Sequence, residues 1–318
     1  MSGEQMTLWD MTRPRFYINK PIRLIELFCG YGSQLMAMKR LGVNVSSWLA
    51  VDIDKYAIAS YNAVHGTEYE PMDISAIRGG TLNIVDKGEY AYVLTYSFPC
   101  TDLSIAGKQA GMDRDSGTRS GLLWQVERVL QECYELHAKD NTYGMPDVLV
   151  MENVTEVHGY KNKANFEEWV AFLEGLGYSN YMQDLNAADF GVAQHRERCF
   201  MVSILGNYNY KFPNPIPLKR VMADYLEDEV DDRYYLKSQK AYDLIVKLVD
   251  NGTIGTENAL NERTNERTNE RTNRQLCVDG TVNEPGQRDI ANCIKAGCRG
   301  VVNHRNEENA VVEQSRVY

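Results

Sequence analysis

The sequence lacks the features that mark a membrane protein, a secreted protein or a zinc protein. No apolar run in its 318 residues approaches the ~20 that a membrane-spanning helix needs. Residues 1–15 show no basic stretch followed by an apolar one, as a secretory leader would. The seven cysteines form no CxxC pair and have no zinc-type Cys/His spacing. These absences predict a cytoplasmic protein with reduced thiols, no membrane contact and no metal.

Positive charge is also scarce. Lys and Arg total 34 against 44 Asp and Glu, a formal net charge of −10, which counts mildly against nucleic-acid binding. The deficit is uneven, because residues 206–318 hold 16 basic and 18 acidic side chains. Phosphate binding depends on a local basic surface and not on the total charge. A basic face within this nearly neutral part is therefore compatible with phosphate binding.

Short apolar runs alternate with amphipathic stretches from Arg23 onwards. The runs predicted as strands are Arg23–Phe28, Trp48–Ile53, Tyr90–Tyr96, Asp147–Met151 and Cys199–Leu205. The predicted helices are Ser33–Leu41, a helix through Ala57, Ile58 and Tyr61, Leu122–Leu136 and Phe166–Leu176. Ser33 is the predicted N-cap of the first helix, and Gly42 is its predicted stop. This alternation predicts an α/β fold with a Rossmann-like, doubly wound, mostly parallel sheet. Ligands of such folds bind at the carboxyl ends of the strands.

The pattern changes after about Gly206. Alternate prolines punctuate residues 213–217, and Leu218–Leu226 is predicted as a short helix. A tandem Asn-Glu-Arg-Thr repeat at residues 261–273 contains no apolar residue, which predicts an exposed loop. Residues 289–312, rich in Asn, Gly and Val, are predicted to form short strands.

A glycine-bearing turn follows the first strand, with Gly30 and Gly32 on either side of Tyr31. Glycine lets the backbone approach a ligand closely and adopt positive φ. Asp52 and Asp54 end the next strand about twenty residues on, where an acidic group can hold ribose hydroxyls. The full GxGxxG fingerprint of dinucleotide proteins is missing, and a cofactor without a pyrophosphate does not require it. The pattern therefore favours an adenosyl ligand over a dinucleotide.

Pro99-Cys100 follows the third strand and is the sharpest local motif. The proline fixes φ just before the cysteine, and a cysteine at a strand end faces the cleft where ligands bind. Such a thiol is either a thiolate nucleophile or a buried structural cysteine. The polar, glycine-punctuated segment from Ser104 to Gln109 is predicted to be a mobile loop that closes over a site.

Two further polar motifs lie next to apolar strands. Glu152-Asn153-Val154 follows the fourth, where a carboxylate serves as a helix cap or as an acid in a site. Arg196 and Arg198 precede the last strand, and arginines two apart on an extended segment point to one face. They are suited to a carboxylate, a phosphate or a base carbonyl, or they form a surface charge cluster.

In this order, the motifs resemble the motif set of the DNA (cytosine-5) methyltransferases of bacteria and phages. The resemblance covers roughly residues 22–205 and rests on Phe28-x-Gly-x-Gly, Pro99-Cys100, Glu152-Asn-Val and Gln194-x-Arg-x-Arg. It implies the S-adenosylmethionine-dependent methyltransferase fold, with residues 1–210 as the catalytic domain. Residues 211–318 would then be a linker and a partial target-recognition region, with the exposed repeat loop at 261–273.

The resemblance also implies a role for each matching residue. Cys100 is similar to the nucleophile that adds to cytosine C6, and Glu152 to the acid that protonates ring N3. Arg196 and Arg198 are similar to the pair that steadies the base carbonyl and the loop around Cys100. The residues similar to the S-adenosylmethionine pocket are Phe28, Gly30, Gly32, Asp52, Ile53, Asp73 and Pro99.

The family implies double-stranded DNA as substrate, a flipped-out cytosine, S-adenosylhomocysteine as product and, in some members, a cognate restriction endonuclease. Thr101 and Leu103 depart from the usual loop residues, and the family's last Gly-Asn-Ser-type motif is not found. Two interpretations stay open: a second polypeptide supplies the missing segment, or the chain is a truncated copy with little or no activity. The alternatives are a non-catalytic binding module, a tRNA-methylating relative and a Rossmann oxidoreductase.

Overall fold

A computed structural model describes most of the first 225 residues and short stretches beyond them. The described residues are 13–103, 111–114, 116–225, 239, 243, 246–247, 250, 275–279, 286–287, 291–292 and 309–313. The predicted loop at 104–109 and the repeat at 261–273 lie outside them. The chain divides into two compact units, residues 1–184 with 198–213, and residues 185–197 with 214–318. Within the described part, no helix has the length and apolar character to cross a membrane.

The first unit is built on a six-stranded sheet with the strand order β2-β1-β3-β4-β7-β5. Its strands are β1 Ile22–Leu27, β2 Val45–Val51, β3 Ala91–Tyr96, β4 Val148–Asn153, β5 Tyr178–Asn186 and β7 Glu197–Leu205. Its helices are α1 Ser33–Arg40, α2 Lys55–His65, α3 Leu123–Lys139 and α4 Lys163–Gly175. The pairs β1–β2, β1–β3 and β3–β4 are parallel, and β4–β7 is antiparallel. The predicted mostly parallel, doubly wound sheet is confirmed.

Apolar residues cover both faces of this sheet. One core cluster joins the sheet to α3 and α4 and contains Tyr96, Val129 and Trp169, all fully buried. The other contains Leu24 and Tyr61. In α3, apolar side chains recur with helical spacing, which is why this helix could be predicted from the sequence.

Some local predictions were wrong at helix and strand ends. Ser33 is the first helical residue of α1 and not its N-cap. Gly32 takes the cap position with φ 80° and no side-chain hydrogen bond. The fourth strand extends further than predicted, so Glu152 is part of β4 and does not follow it. The strand β5 was not predicted, because this partly exposed strand on the outside of the sheet carries no continuous apolar run.

The described part of the second unit contains two small sheets. β6 Gln194–His195 pairs in parallel with β10 Ala291–Asn292. β8 Gln275–Asp279 lies between its antiparallel neighbours β9 Gly286–Gln287 and β11 Asn309–Glu313. Short strands were predicted in this region, and the predicted helix at 218–226 appears as the 3-10 helix Met222–Tyr225.

Candidate active site

The carboxyl ends of three parallel strands meet at one edge of the sheet. Leu27 at the end of β1 pairs with Tyr96 at the end of β3, and Tyr96 pairs with Met151 in β4. The segments after these residues carry the glycine turn, Cys100 and Glu152. The register therefore brings together at one edge the three motifs that the sequence analysis singled out.

Burial separates Cys100 from the other described cysteines. Cys29, Cys133 and Cys199 are buried, whereas Cys100 is partly exposed. Burial raises the pKa of Cys29, Cys133 and Cys199 to about 12 in each case. Those three thiols stay protonated at neutral pH, and a protonated thiol is a poor nucleophile. Among the four cysteines whose side chains the structure describes, Cys100 is thus the one placed for nucleophilic chemistry.

Asn153 connects the end of β4 to the segment that carries Cys100. Its side-chain amide donates to the carbonyl of Phe98 at 3.0 Å, and its Oδ1 accepts from the Val154 amide at 2.9 Å. Asn153 is 2% exposed, and a buried polar group is stabilising when it is hydrogen-bonded in this way. Asn153 belongs to the predicted Glu152-Asn153-Val154 motif, but its sequence position alone indicated no role for it.

Glu152 and Arg198 form an ion pair across β4 and β7. Arg198 Nε lies 3.2 Å from Glu152 Oε1, and both side chains are largely buried. The antiparallel register pairs Glu152 with Phe200, which places Arg198 diagonally across from the carboxylate on the same face. The Arg198 guanidinium is therefore placed to orient the Glu152 carboxylate.

Arg196 lies in the second compact unit, whereas Arg198 lies in the first. The Arg196 amide donates to Asn186 Oδ1 at 3.2 Å, and its carbonyl accepts from the Ala187 amide at 3.0 Å. These bonds fix the backbone of Arg196 within its own unit. The prediction that the two arginines act as a pair remains a prediction.

The glycine turn and the end of β2 form a second polar area at this edge. Phe28 and Gly30 have positive φ, 60° and 54°. The Gly30 amide donates to Asp52 Oδ2 at 3.0 Å, and Asp52 Oδ1 accepts from the Asp54 amide at 2.9 Å. Each carboxylate oxygen still has a lone-pair site for a ligand hydroxyl. Ile53 is 70% exposed although apolar, so a sugar diol and an apolar ring both find suitable partners here.

The two glycines of the turn face different surroundings. A Cβ on Gly30 would meet no atom within 4 Å, whereas a Cβ on Gly32 would lie 2.3 Å from His65 Nε2 and 2.6 Å from Tyr61 Cε2. Gly32 is thus required for packing against α2, and Gly30 borders open space. Asp73 uses one carboxylate oxygen to cap a 3-10 helix, accepting from the Ser75 amide at 2.8 Å.

One group of described side chains has metal-ligand chemistry. Atoms of His158, Asp184 and Cys199 lie within 4.8 Å of one another. His158 Nε2 and Asp184 Oδ1 are paired at 3.0 Å. Burial, followed by the Asp184 charge, raises the pKa of the Cys199 thiol to about 12. A protonated thiol, an imidazole and a carboxylate can satisfy one another through hydrogen bonds. The geometry of this group therefore does not require a metal ion.

Comparison with known proteins decides the family. The family model of the C-5 cytosine-specific DNA methylases matches residues 22–314. The chain belongs to this family. The predicted family is therefore confirmed, and its members named below are methyltransferases rather than oxidoreductases.

Two curated members of the family show how far the similarity extends. The type II methyltransferase M2.ScrFI of Lactococcus lactis subsp. cremoris is 32% identical over 270 residues, which cover 70% of this chain and 72% of the relative. The orphan methyltransferase M.SssI of Spiroplasma monobiae is 44% identical over 150 residues, 46% of this chain and 36% of the relative. The chain thus spans very different shares of its relatives' lengths.

Solved structures support the fold. The Dnmt2 methyltransferase of S. pombe superposes with a TM-score of 0.54 at 21% identity, over 71% of this chain and 65% of that structure. A putative DNA modification methyltransferase encoded within an E. coli prophage superposes with a TM-score of 0.50 at 20% identity, over 68% and 58%. At such identities the likeness shows the fold alone. The predicted methyltransferase fold is confirmed.

Proposed function

We propose that this chain transfers a methyl group from S-adenosylmethionine to C5 of a flipped-out cytosine in double-stranded DNA, through a transient covalent bond to Cys100. The observation that carries the proposal is the position of Cys100 relative to the ends of the parallel strands. It is partly exposed and lies at the same sheet edge as the Glu152–Arg198 pair. A nucleophile, an acid and a cation that orients the acid are the groups this reaction needs.

Cytosine C5 is a poor nucleophile, and the proposed residues overcome this in two steps. The Cys100 thiolate adds to C6 while the Glu152 carboxyl donates a proton to ring N3, so that the ring becomes an enamine. C5 would then displace the sulfonium sulfur from the methyl carbon. Loss of the C5 proton to a base, with return of the N3 proton to Glu152, would break the C6–S bond, release the Cys100 thiolate and restore the aromatic ring. Arg198 holds the Glu152 carboxyl in place. We assign Arg196 to the base carbonyl and the loop around Cys100. The target base must leave the helical stack, at a cost of a few kcal/mol.

The polar area around the glycine turn fits S-adenosylmethionine. Asp52 would accept from the ribose hydroxyls, and Phe28 and Ile53 would contact the adenine. The open space above Gly30 would admit the ligand close to the backbone. Asp73 would also lie near the adenine, as the family resemblance implies, and Gly32 and Pro99 would shape the pocket through the backbone they hold. When bound, the cofactor supplies an activated methyl group, and S-adenosylhomocysteine remains.

We assign residues 1–210 to catalysis and residues 211–318 to target recognition. Of the partners expected from the sequence, a cognate restriction endonuclease agrees with the type II names of relatives such as M2.ScrFI. A second polypeptide that supplies the family's last C-terminal motifs is the other partner we propose to test.

The test uses DNA containing 5-fluorocytosine in varied sequence contexts, together with S-adenosylmethionine. Fluorine at C5 cannot leave as a proton does, so a working enzyme is trapped as a covalent adduct. We expect an adduct that disappears in Cys100→Ser while that variant still binds cofactor. Cofactor binding without an adduct would indicate that a partner chain is required. Loss of both would refute the proposal for this chain and leave a non-catalytic relative.

A further inference from the structure

We propose that Asp102 and Ser120 are positioning residues that hold the turn carrying Cys100 in its reactive orientation. This inference rests on the proposed function, because it concerns the same nucleophile. Cys100 lies in residues 97–103, which follow β3 and contain no helix or strand. The 3-10 helix Ser120–Leu122, which leads into α3, comes later in the chain. A segment without helix or strand needs bonds from elsewhere to keep one conformation.

Ser120 holds the peptide group on the amino side of Cys100. Its hydroxyl donates to the carbonyl of Pro99 at 2.7 Å, and the residue is fully buried. The Pro99 carbonyl and the Cys100 nitrogen belong to one planar peptide unit, so fixing the oxygen also fixes the position of the Cys100 Cα that bears the side chain. Proline limits the freedom of the preceding backbone by locking its own φ.

Asp102 holds the carboxyl side of the same turn. Its Oδ2 accepts from the amides of Arg119 at 2.8 Å and Ser120 at 3.4 Å, and the residue is 9% exposed. Its own carbonyl accepts from the Gly111 amide at 3.0 Å. Within the turn, the Leu103 amide donates to the carbonyl of Cys100, also at 3.0 Å.

The two residues thus secure peptide groups on both sides of the nucleophile and join them to one another through the Ser120 amide. An aspartate could cap a short helix anywhere in a protein, but here the capping group lies two residues from Cys100. Because misplacing a reacting atom by about 1 Å costs on the order of 10²-fold in rate, these bonds bear on chemistry as well as on folding. Neither residue carried a recognisable motif in the sequence.

The experiment compares Ser120→Ala and Asp102→Asn with a matched control, Thr118→Val. Thr118 Oγ1 makes hydrogen bonds in the same region, to the Gly111 carbonyl and from the Gly121 amide, both at 3.1 Å. The control removes these without touching the bonds on either side of Cys100. For each protein the readouts are the single-turnover rate of adduct formation on 5-fluorocytosine DNA, the affinities for DNA and cofactor, and the thermal midpoint.

We expect adduct formation to slow by about 10- to 100-fold in Ser120→Ala and Asp102→Asn, with affinities within about twofold of the wild type. Ser120→Thr, which keeps the hydroxyl, should restore most of the rate. Thr118→Val should lower the thermal midpoint but leave the rate nearly unchanged. Equal slowing in all three variants, or slowing that follows the thermal midpoint, would overturn the proposal.

A second readout does not depend on turnover. Alkylation of Cys100 by iodoacetamide, followed over pH in the chain without DNA, reports how the thiol is held. We expect faster alkylation across the pH range in Ser120→Ala and Asp102→Asn, and a wild-type profile in Thr118→Val. If the wild-type chain neither forms an adduct nor binds cofactor, but these profiles differ as expected, the proposed function fails while the positioning role survives. Identical profiles in all proteins would refute the positioning role.

Discussion

The two halves of the proposed active edge are built differently. In the half that we propose to bind the cofactor (the cofactor half), at the ends of β1 and β2, backbone groups and an exposed apolar side chain face outward, as Gly30 and Ile53 do. In the half that we propose to bind the target base (the cytosine half), around β3 and β4, buried polar side chains hold the backbone, as Asn153 and Ser120 do. An exchangeable ligand needs an open surface, whereas a nucleophile needs a fixed position. We therefore expect substitutions in the cofactor half to weaken cofactor binding, and substitutions in the cytosine half to slow methyl transfer.

The largest test of this contrast is Glu152→Gln. The amide keeps the shape of the side chain but cannot donate a carboxyl proton, so we expect methyl transfer to fall by about 10²- to 10⁴-fold. Cofactor affinity should stay unchanged, because Glu152 lies in the cytosine half. Single-turnover methylation and calorimetric cofactor titration measure the two quantities. A weakened cofactor affinity with near-normal chemistry would reverse the proposed division.

A pair of alanine substitutions separates packing from binding within the cofactor turn. Gly32→Ala adds a methyl group that overlaps His65 and Tyr61 at φ 80°. We expect a loss of about 3 kcal/mol in the free energy of unfolding. Gly30→Ala meets only open space, so it should cost about 1 kcal/mol from its positive φ but should weaken cofactor binding. Urea unfolding and cofactor titration distinguish them, and equal stability losses would contradict this structure of the turn.

Asp52→Asn should weaken cofactor binding by about tenfold, because a charged acceptor for hydroxyl groups becomes a neutral amide. The matched control is Asp54→Asn, two residues away, whose carboxylate accepts from the Tyr56 amide at the start of α2. Asparagine is also a good N-cap, so the control should leave stability and affinity nearly unchanged. Cofactor dissociation constants from calorimetry decide the question. Similar affinity in both variants would remove Asp52 from the proposed pocket.

The smallest expected effect concerns the buried Glu26 carboxyl in β1, which accepts from Tyr61 Oη at 2.6 Å. Burial raises the pKa of Glu26, and the hydrogen bonds from Tyr61 and Leu35 only partly offset it. The folded chain therefore holds this proton more tightly than the unfolded chain. The stability that the protonated Glu26 carboxyl contributes is complete below the ordinary glutamate pKa, and it is lost as pH rises through the raised pKa of the folded state.

Glu26→Gln cannot ionise, so its free energy of unfolding should decline less as pH rises from about 4, the ordinary glutamate value. Urea unfolding across that range, with wild type and variant side by side, gives the two slopes. Parallel pH profiles of the wild type and the variant would show that ionisation of Glu26 does not affect the free energy of unfolding. Methyl transfer should change little, since Glu26 lies beneath the turn and away from Cys100's segment.

Much of this architecture could be predicted from local patterns. The helical spacing of α3 and the apolar runs of the parallel strands identify their elements, because those periodicities follow from the geometry of each element alone. Strand ends carry ligands in this class of fold, so Cys100, Glu152 and Asp52 could be selected before their neighbours were known. The resemblance to the methyltransferase family added a role for each of them.

What the sequence by itself determined is therefore the strand–helix order and the chemistry available at the strand ends. Only the tertiary structure decided which groups meet. The β4–β7 register places Arg198 diagonally across from Glu152, the α2 packing requires Gly32, and the 3-10 helix before α3 brings Ser120 to Asp102. These contacts join residues from different elements, and no local periodicity encodes them. The edge strand β5 was missed for a similar reason, since its pairing with β7 and not its composition makes it a strand.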